Sequence, residues 1–212
     1  MIVLRRMLAV FLLTIAMPHM TMAEERIDES TELVNRLVTH IQGLVNSNPD
    51  AMTIRAETDA VIHQYFDYDL IARFAAGNAW RSASDDQRSR YKTVFREVML
   101  SLAETQFDYF KTLEYKAKAV IPKGRKLVIV SGTIHDRSGQ FPDATVNWRV
   151  STKPGKPARI IDIEIENISM LITQQQEHTA IINQNGGSFE ALIEALTEQA
   201  NDIRSGLSLI HI

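Results

Sequence analysis

The 212-residue chain contains no cysteine, which excludes a disulfide framework, thiolate catalysis and cysteine-ligated metals. The same absence closes the route by which a sorted bacterial lipoprotein is acylated at its cleavage site. Past residue 23 no apolar run approaches the ~20 residues that a membrane-crossing helix needs, so the processed chain is expected to be soluble. A basic excess is missing too. The formal charge is −3, which argues against nucleic acid, because phosphate neutralisation needs a clear surplus of lysine and arginine. There is no HExxH, no G-x-S-x-G and no glycine-rich phosphate loop; Gly186-Gly187 merely separates two helical segments.

What the chain does have begins with an address. Arg5 and Arg6 form a short basic region, and Leu8 to Met17 is an uninterrupted apolar run of signal-peptide length, too short to span a bilayer. Pro18 breaks it, and Thr21-Met22-Ala23 places small residues at the −3 and −1 positions of a cleavage site. We therefore expect residues 1–23 to be a signal peptide rather than an uncleaved anchor, with a single domain over 24–212. Removal of the two arginines takes the formal charge from −3 to −5. A bacterial-style signal places the mature protein in the periplasm.

Helical periodicity dominates residues 26–110. Leu33, Val34, Leu37, Val38, Ile41, Leu44 and Val45 repeat at i, i+3/i+4, and Asn46-Ser47-Asn48-Pro49-Asp50 ends that helix. A second helix is predicted over Asp50 to Tyr65, and a short third one capped by Asp67 carries Leu70, Ile71 and Phe74. Gly77-Asn78 would close it. Ser84-Asp85-Asp86-Gln87 reads as a capping box opening a long helix with the stripe Tyr91, Val94, Phe95, Val98, Met99, Leu102 and Phe110. The period then becomes two, with strand candidates Leu113–Ile121, Arg125–His135, Ala144–Ser151 and Ala158–Ile168 joined by short turns. In the last two, apolar and polar residues alternate cleanly, which puts Asp162, Glu164 and Glu166 on the wet face. Two helices follow, Ser169–Asn185 and Ser188–Arg204. The predicted architecture is α+β: a four-stranded antiparallel sheet covered on one face by helices.

Two blocks carry a resemblance. The first is YFDYDLIARFAAGNAWRSASDDQRSRYKTVF, Tyr65 to Phe95, with F-D-[FY], an Ala76-Gly77 turn before Trp80, and S-x-x-Q-R ahead of an aromatic-rich helix. The second runs from Trp148 to Leu196, through W-R, IDIEIENISMLITQQQ and NGGSFEALIEAL. In order and spacing these resemble the MlaC family of periplasmic phospholipid-binding proteins, also called the toluene-tolerance family. Asn167 stands where the family usually has glycine, and Ile160 or Ile161 where it often has an aromatic. These departures leave the branch open, and with it the ligand, phospholipid or hopanoid. The resemblance implies a fold like that of the nuclear-transport-factor-2 superfamily with added helices, and acyl tails held between sheet and helices. The residues themselves give no catalytic constellation, and a monomer without cofactor is expected. The implied partners are an inner-membrane MCE-domain protein with its ABC transporter and an outer-membrane lipoprotein complex.

A lipid carrier must hide acyl chains from water. At ~0.8 kcal/mol per CH₂, two chains of roughly sixteen carbons represent on the order of 20 kcal/mol of transfer, which calls for an internal cavity. The candidate lining on the sheet is Val130, Val146, Trp148, Val150, Ile161, Ile163 and Ile165. The facing helices offer Phe74, Phe95, Met99, Leu102, Met170 and Leu171, and a kink at Asn167 would return Ile168 to the inward face. Methionine suits variable tails. An apolar face at strand spacing nevertheless describes a filled core as well as a hollow one, and Trp148 serves equally as cavity wall or core anchor. Arg81, Arg88, Arg90, Lys92 and Arg96 read as a solvated, compensated face or as a head-group or docking patch.

Catalysis would need an acid or base in such a pocket. Asp67, Asp69 and His63 lie nearest, but Asp67 has a sufficient role as a cap. His40, His135 and His178 are scattered, and Glu177-His178 lacks a second ligand at metal spacing. A third reading is a protein adaptor that never holds lipid, for which the apolar tail Leu207 to Ile212 is the available contact.

Overall fold

The computed structural model describes residues 22–206. The predicted signal peptide (but for its last two residues) and the Leu207 to Ile212 tail lie outside them. The chain order is α1 (Met22–Asn46), α2 (Ala51–Tyr65), α3 (Tyr68–Ala75), a 3₁₀ turn (Gly77–Arg81) and α4 (Asp85–Phe110). The strands β1 (Leu113–Lys123), β2 (Leu127–Asp136), β3 (Ala144–Ser151), β4 (Arg159–Ile165) and β5 (Ile168–Ser169) follow, and then α5 (Met170–Gln184) and α6 (Phe189–Ser205).

Local chemistry sets most of these boundaries. Asp50 caps α2 by accepting from the Thr53 amide, Asp67 caps α3 through Leu70, and Ser188 caps α6 through Ala191. Ser84 and Gln87 exchange both bonds of a capping box at the start of α4. Gly206 ends α6 in the left-handed region, at φ 74°.

The sheet is an antiparallel meander in the order β1-β2-β3-β4-β5. It has five strands where the sequence predicts four. The expected last strand divides, because Glu166 and Asn167 both take positive φ (48° and 66°) and form a tight turn that folds Ile168 back opposite Ile165. Asparagine tolerates that conformation, and the Glu166 carboxylate accepts a bond from the Thr145 amide, which helps hold the less suited residue in place.

A second correction concerns β4. Trp148 pairs with Ile163 and Arg149 with Asp162, but Val150 pairs with Ile160, so Ile161 is an extra residue in a β-bulge. Ile160 thereby enters the core beside Val150, and Asp162 does not face water as expected. It is 4% exposed. It keeps its regular place opposite Arg149, and the N-terminus of α5 covers it: its Oδ1 accepts from the Leu171 amide (3.0 Å) and its Oδ2 from the Ser169 hydroxyl (2.6 Å) and Arg149 (3.1 Å). Of the three acids, Glu166 is exposed and Glu164 half-buried.

Two cores result. In one, Leu33, Val34 and Leu37 of α1 lie on Val128, Val130, Val146, Val150 and Ile160 of the sheet. In the other, α3, α4, α5 and α6 enclose Tyr91, Phe95, Ile182, Phe189 and Leu192. The second stands beside the β4 edge, and α4 connects the two by packing against α2 as well as α6, with Arg55 of α2 bridging to Glu97 and Glu104.

Candidate functional site

The boundary between the two cores is imperfectly filled. An apolar cavity of about 180 Å³ lies between α3, α4, α5 and the β4 edge. Its wall is Phe66, Ile71, Phe95, Val98, Met99, Leu102, Ile161, Ile163, Met170 and Leu171, with Asp162, Gln174 and Gln199 as the polar members. The bulge makes this wall possible: it directs Ile161 toward the cavity while Ile160 stays in the core.

A second apolar cavity, about 160 Å³, lies where the C-terminal half of α1 and the end of α4 meet β1, β2 and β3. Val38, Ile41, Val45, Phe110, Leu113, Tyr115, Ile134 and Trp148 line it, with Gln42, Asn46, Lys111 and Arg137 as further polar members. The two cavities are neighbours. Trp148 of the second and Ile163 of the first are directly opposed across β3 and β4, and α4 borders both, with Leu102 in one and Phe110 in the other.

Of the residues predicted to hold lipid, Phe95, Met99, Leu102, Ile161, Ile163, Met170 and Leu171 are brought together in the first cavity, and Trp148 lines the second. Val130, Val146 and Val150 lie instead beneath α1 in the filled core. Ile165 and Ile168 do share the inward face, but at an uncovered end of the sheet, where Ile168 is 58% exposed. Phe74 is on the surface. The sequence reading missed Phe66 and, Trp148 apart, the residues of the second cavity. Phe110 was the available signal, a large apolar residue at a helix end that remains exposed.

The second cavity has a polar feature. Tyr115 and Trp148 meet edge to face at 6.3 Å, and neither the buried Tyr115 hydroxyl nor the buried Trp148 indole N–H makes a hydrogen bond meeting normal geometry. Burial holds the Tyr115 phenol above its ordinary pKa, partly offset by the indole beside it, so it stays protonated and able to donate. A ligand oxygen entering there would find two buried donors among the apolar side chains of the wall. The ring of Tyr115 lies flat over Gly132, where a Cβ would come within 2.3 Å of it. Glycine at this position is what lets the tyrosine occupy its place.

No side chain in the first cavity is poised for chemistry. The Asp162 carboxylate is already engaged by three donors, and the remaining polar members are glutamines. His178 lies outside it in the helical core, 1% exposed, with Nδ1 3.1 Å from the Tyr91 hydroxyl. Burial pushes its pKa down to about 4, which keeps the imidazole neutral. His63 is on the surface, close to Asp59 and Arg96. The arginine-rich face at the start of α4 is largely compensated: Arg88 pairs with Asp85, Arg90 with Asp86 and Glu190, Lys92 with Asp69, and Arg96 with Asp59.

Comparison with protein families matches residues 31–198 to the family described as MlaC protein. Among solved structures, the fold is similar to that of the phospholipid-binding protein from Ralstonia solanacearum, determined in complex with a phospholipid. The TM-score is 0.69 at 16% sequence identity, covering 81% of this chain and 97% of that one. No curated protein matches the sequence.

Proposed function

The chain belongs to the MlaC family, and from that premise we propose that it is a periplasmic phospholipid carrier. It shields the acyl tails of its cargo between α4, α5 and the sheet and passes the lipid between membrane complexes without altering it. The observation that carries the reading is the pair of apolar cavities on either side of the Trp148–Ile163 cross-strand pair. The fold it shares with a protein solved in complex with a phospholipid supports the same conclusion.

Volume adds a requirement. Cavities of about 180 and 160 Å³ fall short of the ~300–1,000 Å³ of ordinary ligand pockets. Each holds a segment of one tail. Full tails require the seam between α4 and the sheet to part, joining the two spaces. Met99 and Met170 on the first wall and the exposed Phe110 and Ile165 suit a seam that opens, because flexible thioethers and unburied apolar groups lose little when it moves. The Tyr115 and Trp148 donors would meet any ligand oxygen that reaches the second cavity.

The test is transfer of a fluorescently labelled phospholipid from vesicles to the purified protein. Saturable uptake is expected, reduced at least roughly tenfold by Leu102→Glu, because an unpaired carboxylate in an apolar cavity is strongly disfavoured. A folded wild-type protein that acquires no label would refute the carrier reading.

A further inference from the structure

A second concavity adjoins the first apolar cavity and differs from it in kind. It is a cleft of about 620 Å³ between the start of α3, the N-terminal half of α4 and the hairpin joining β3 to β4. Five cations line it, Lys92, Arg96, Lys153, Lys156 and Arg159, against the two carboxylates of Asp67 and Asp69. The chain as a whole has a formal charge of −3, so this surplus runs against the average.

The surplus is concentrated on the hairpin. Lys92 and Arg96 are matched, by Asp69 at 2.9 Å and Asp59 at 3.1 Å, and Asp67 is engaged in capping α3. Lys153, Lys156 and Arg159 have no carboxylate partner among the described residues. They sit on a turn stiffened by Pro154 and Pro157 and reversed at Gly155, whose φ is 73°. Ser151 and Arg159 are paired across the strands at its base. Such a turn presents its cations at little cost in backbone entropy.

Position supplies the rest. Phe66 lines both the cleft and the apolar cavity. On α4, Lys92 and Arg96 border the cleft while Phe95 and Met99 border the cavity. Along β4, Arg159 borders the cleft, Ile160 enters the core and Ile161 borders the cavity. A basic recess and an apolar one thus share a wall, as two parts of one amphiphile would require.

We propose that this cleft is a binding site for a phosphoester group, held by Lys153, Lys156 and Arg159. A phosphate projecting from a small group fits a recess of this size, and lysine and arginine are its ordinary partners. The phosphate has two possible sources: the head group of the lipid in the neighbouring cavity, which rests on the carrier reading, or a water-soluble phosphoester, which does not.

The experiment is an NMR titration of the purified protein at low salt with inorganic phosphate and with glycerol phosphate, following the amides of Lys153, Lys156 and Arg159. Saturable shifts are expected, weakened roughly tenfold or more in the K153E/K156E double variant, whose substitutions lie on an exposed turn. Repetition after incubation with phosphatidylglycerol vesicles separates the sources. Loss of the response assigns the site to the lipid head group, and its persistence assigns it to a soluble phosphoester. Because the first titration needs no lipid, a protein that binds phosphate but takes up no lipid sinks only the carrier reading. Absence of saturable shifts with both anions, or equal affinity in K153E/K156E, overturns the site.

Discussion

Ile163 and Ile168 look equivalent in the sequence, two isoleucines on the inward face of one strand, and the structure separates them. Ile163 lines the apolar cavity opposite Trp148, while Ile168 follows a tight turn and is largely exposed. Ile163→Glu is therefore expected to abolish lipid uptake, because it buries an unpaired carboxylate, and Ile168→Glu to leave uptake within roughly twofold of wild type, as for a surface change. Equal loss in both variants, with circular dichroism unchanged, would place the ligand elsewhere. His178 makes a second prediction at this scale. Its pKa is about 4 in the fold, lowered by burial and only partly offset by the Ala75 backbone. The unfolded chain, with an ordinary histidine pKa near 6.5, takes up the proton first. Stability is complete above about pH 6.5 and falls as the pH drops toward 4, by about 3 kcal/mol in all, and this contribution is flat below that. Urea unfolding across the range should show that slope, and His178→Phe should flatten it.

Among the elements, β4 carries the most and was the least legible. The helices were readable because their signals are local: the Asp67 cap, the Ser84–Gln87 box, the Ser188 cap and the stripes on α1, α4 and α6 all operate where the sequence indicates. The bulge was not readable, because Ile160 and Ile161 are both apolar and either satisfies an alternating pattern; only pairing with β3 decides between them. Asp162 was hidden for another reason: it keeps its place opposite Arg149 and passes for one of three wet carboxylates until α5 is placed over it. Asp162 joins β4 to α5 and neutralises Arg149. Asp162→Ala leaves Ser169, the Leu171 amide and Arg149 without that partner, and is expected to cost about 3 kcal/mol. Chemical denaturation measures it, and a loss below about 1 kcal/mol would mean that solvent replaces the carboxylate at that junction.

At the scale of the molecule, the layout of helices beside an antiparallel sheet was legible, and hollowness was not. A filled core and a cavity wall use the same residues at the same spacing. Val130, Val146 and Val150 pack solidly beneath α1, while Ile161 and Ile163, a strand away, face open space. What differs is the helix opposite, and that depends on how α4 spans the two cores. The carrier account assigns one function to that boundary: two small apolar spaces that merge around a pair of tails. Its most direct measurement is organic extraction of the purified protein followed by mass spectrometry of extract and intact complex. The account predicts close to one phospholipid per chain, lost together with the fold on denaturation. A protein that emerges without lipid, and acquires none from vesicles, would contradict it.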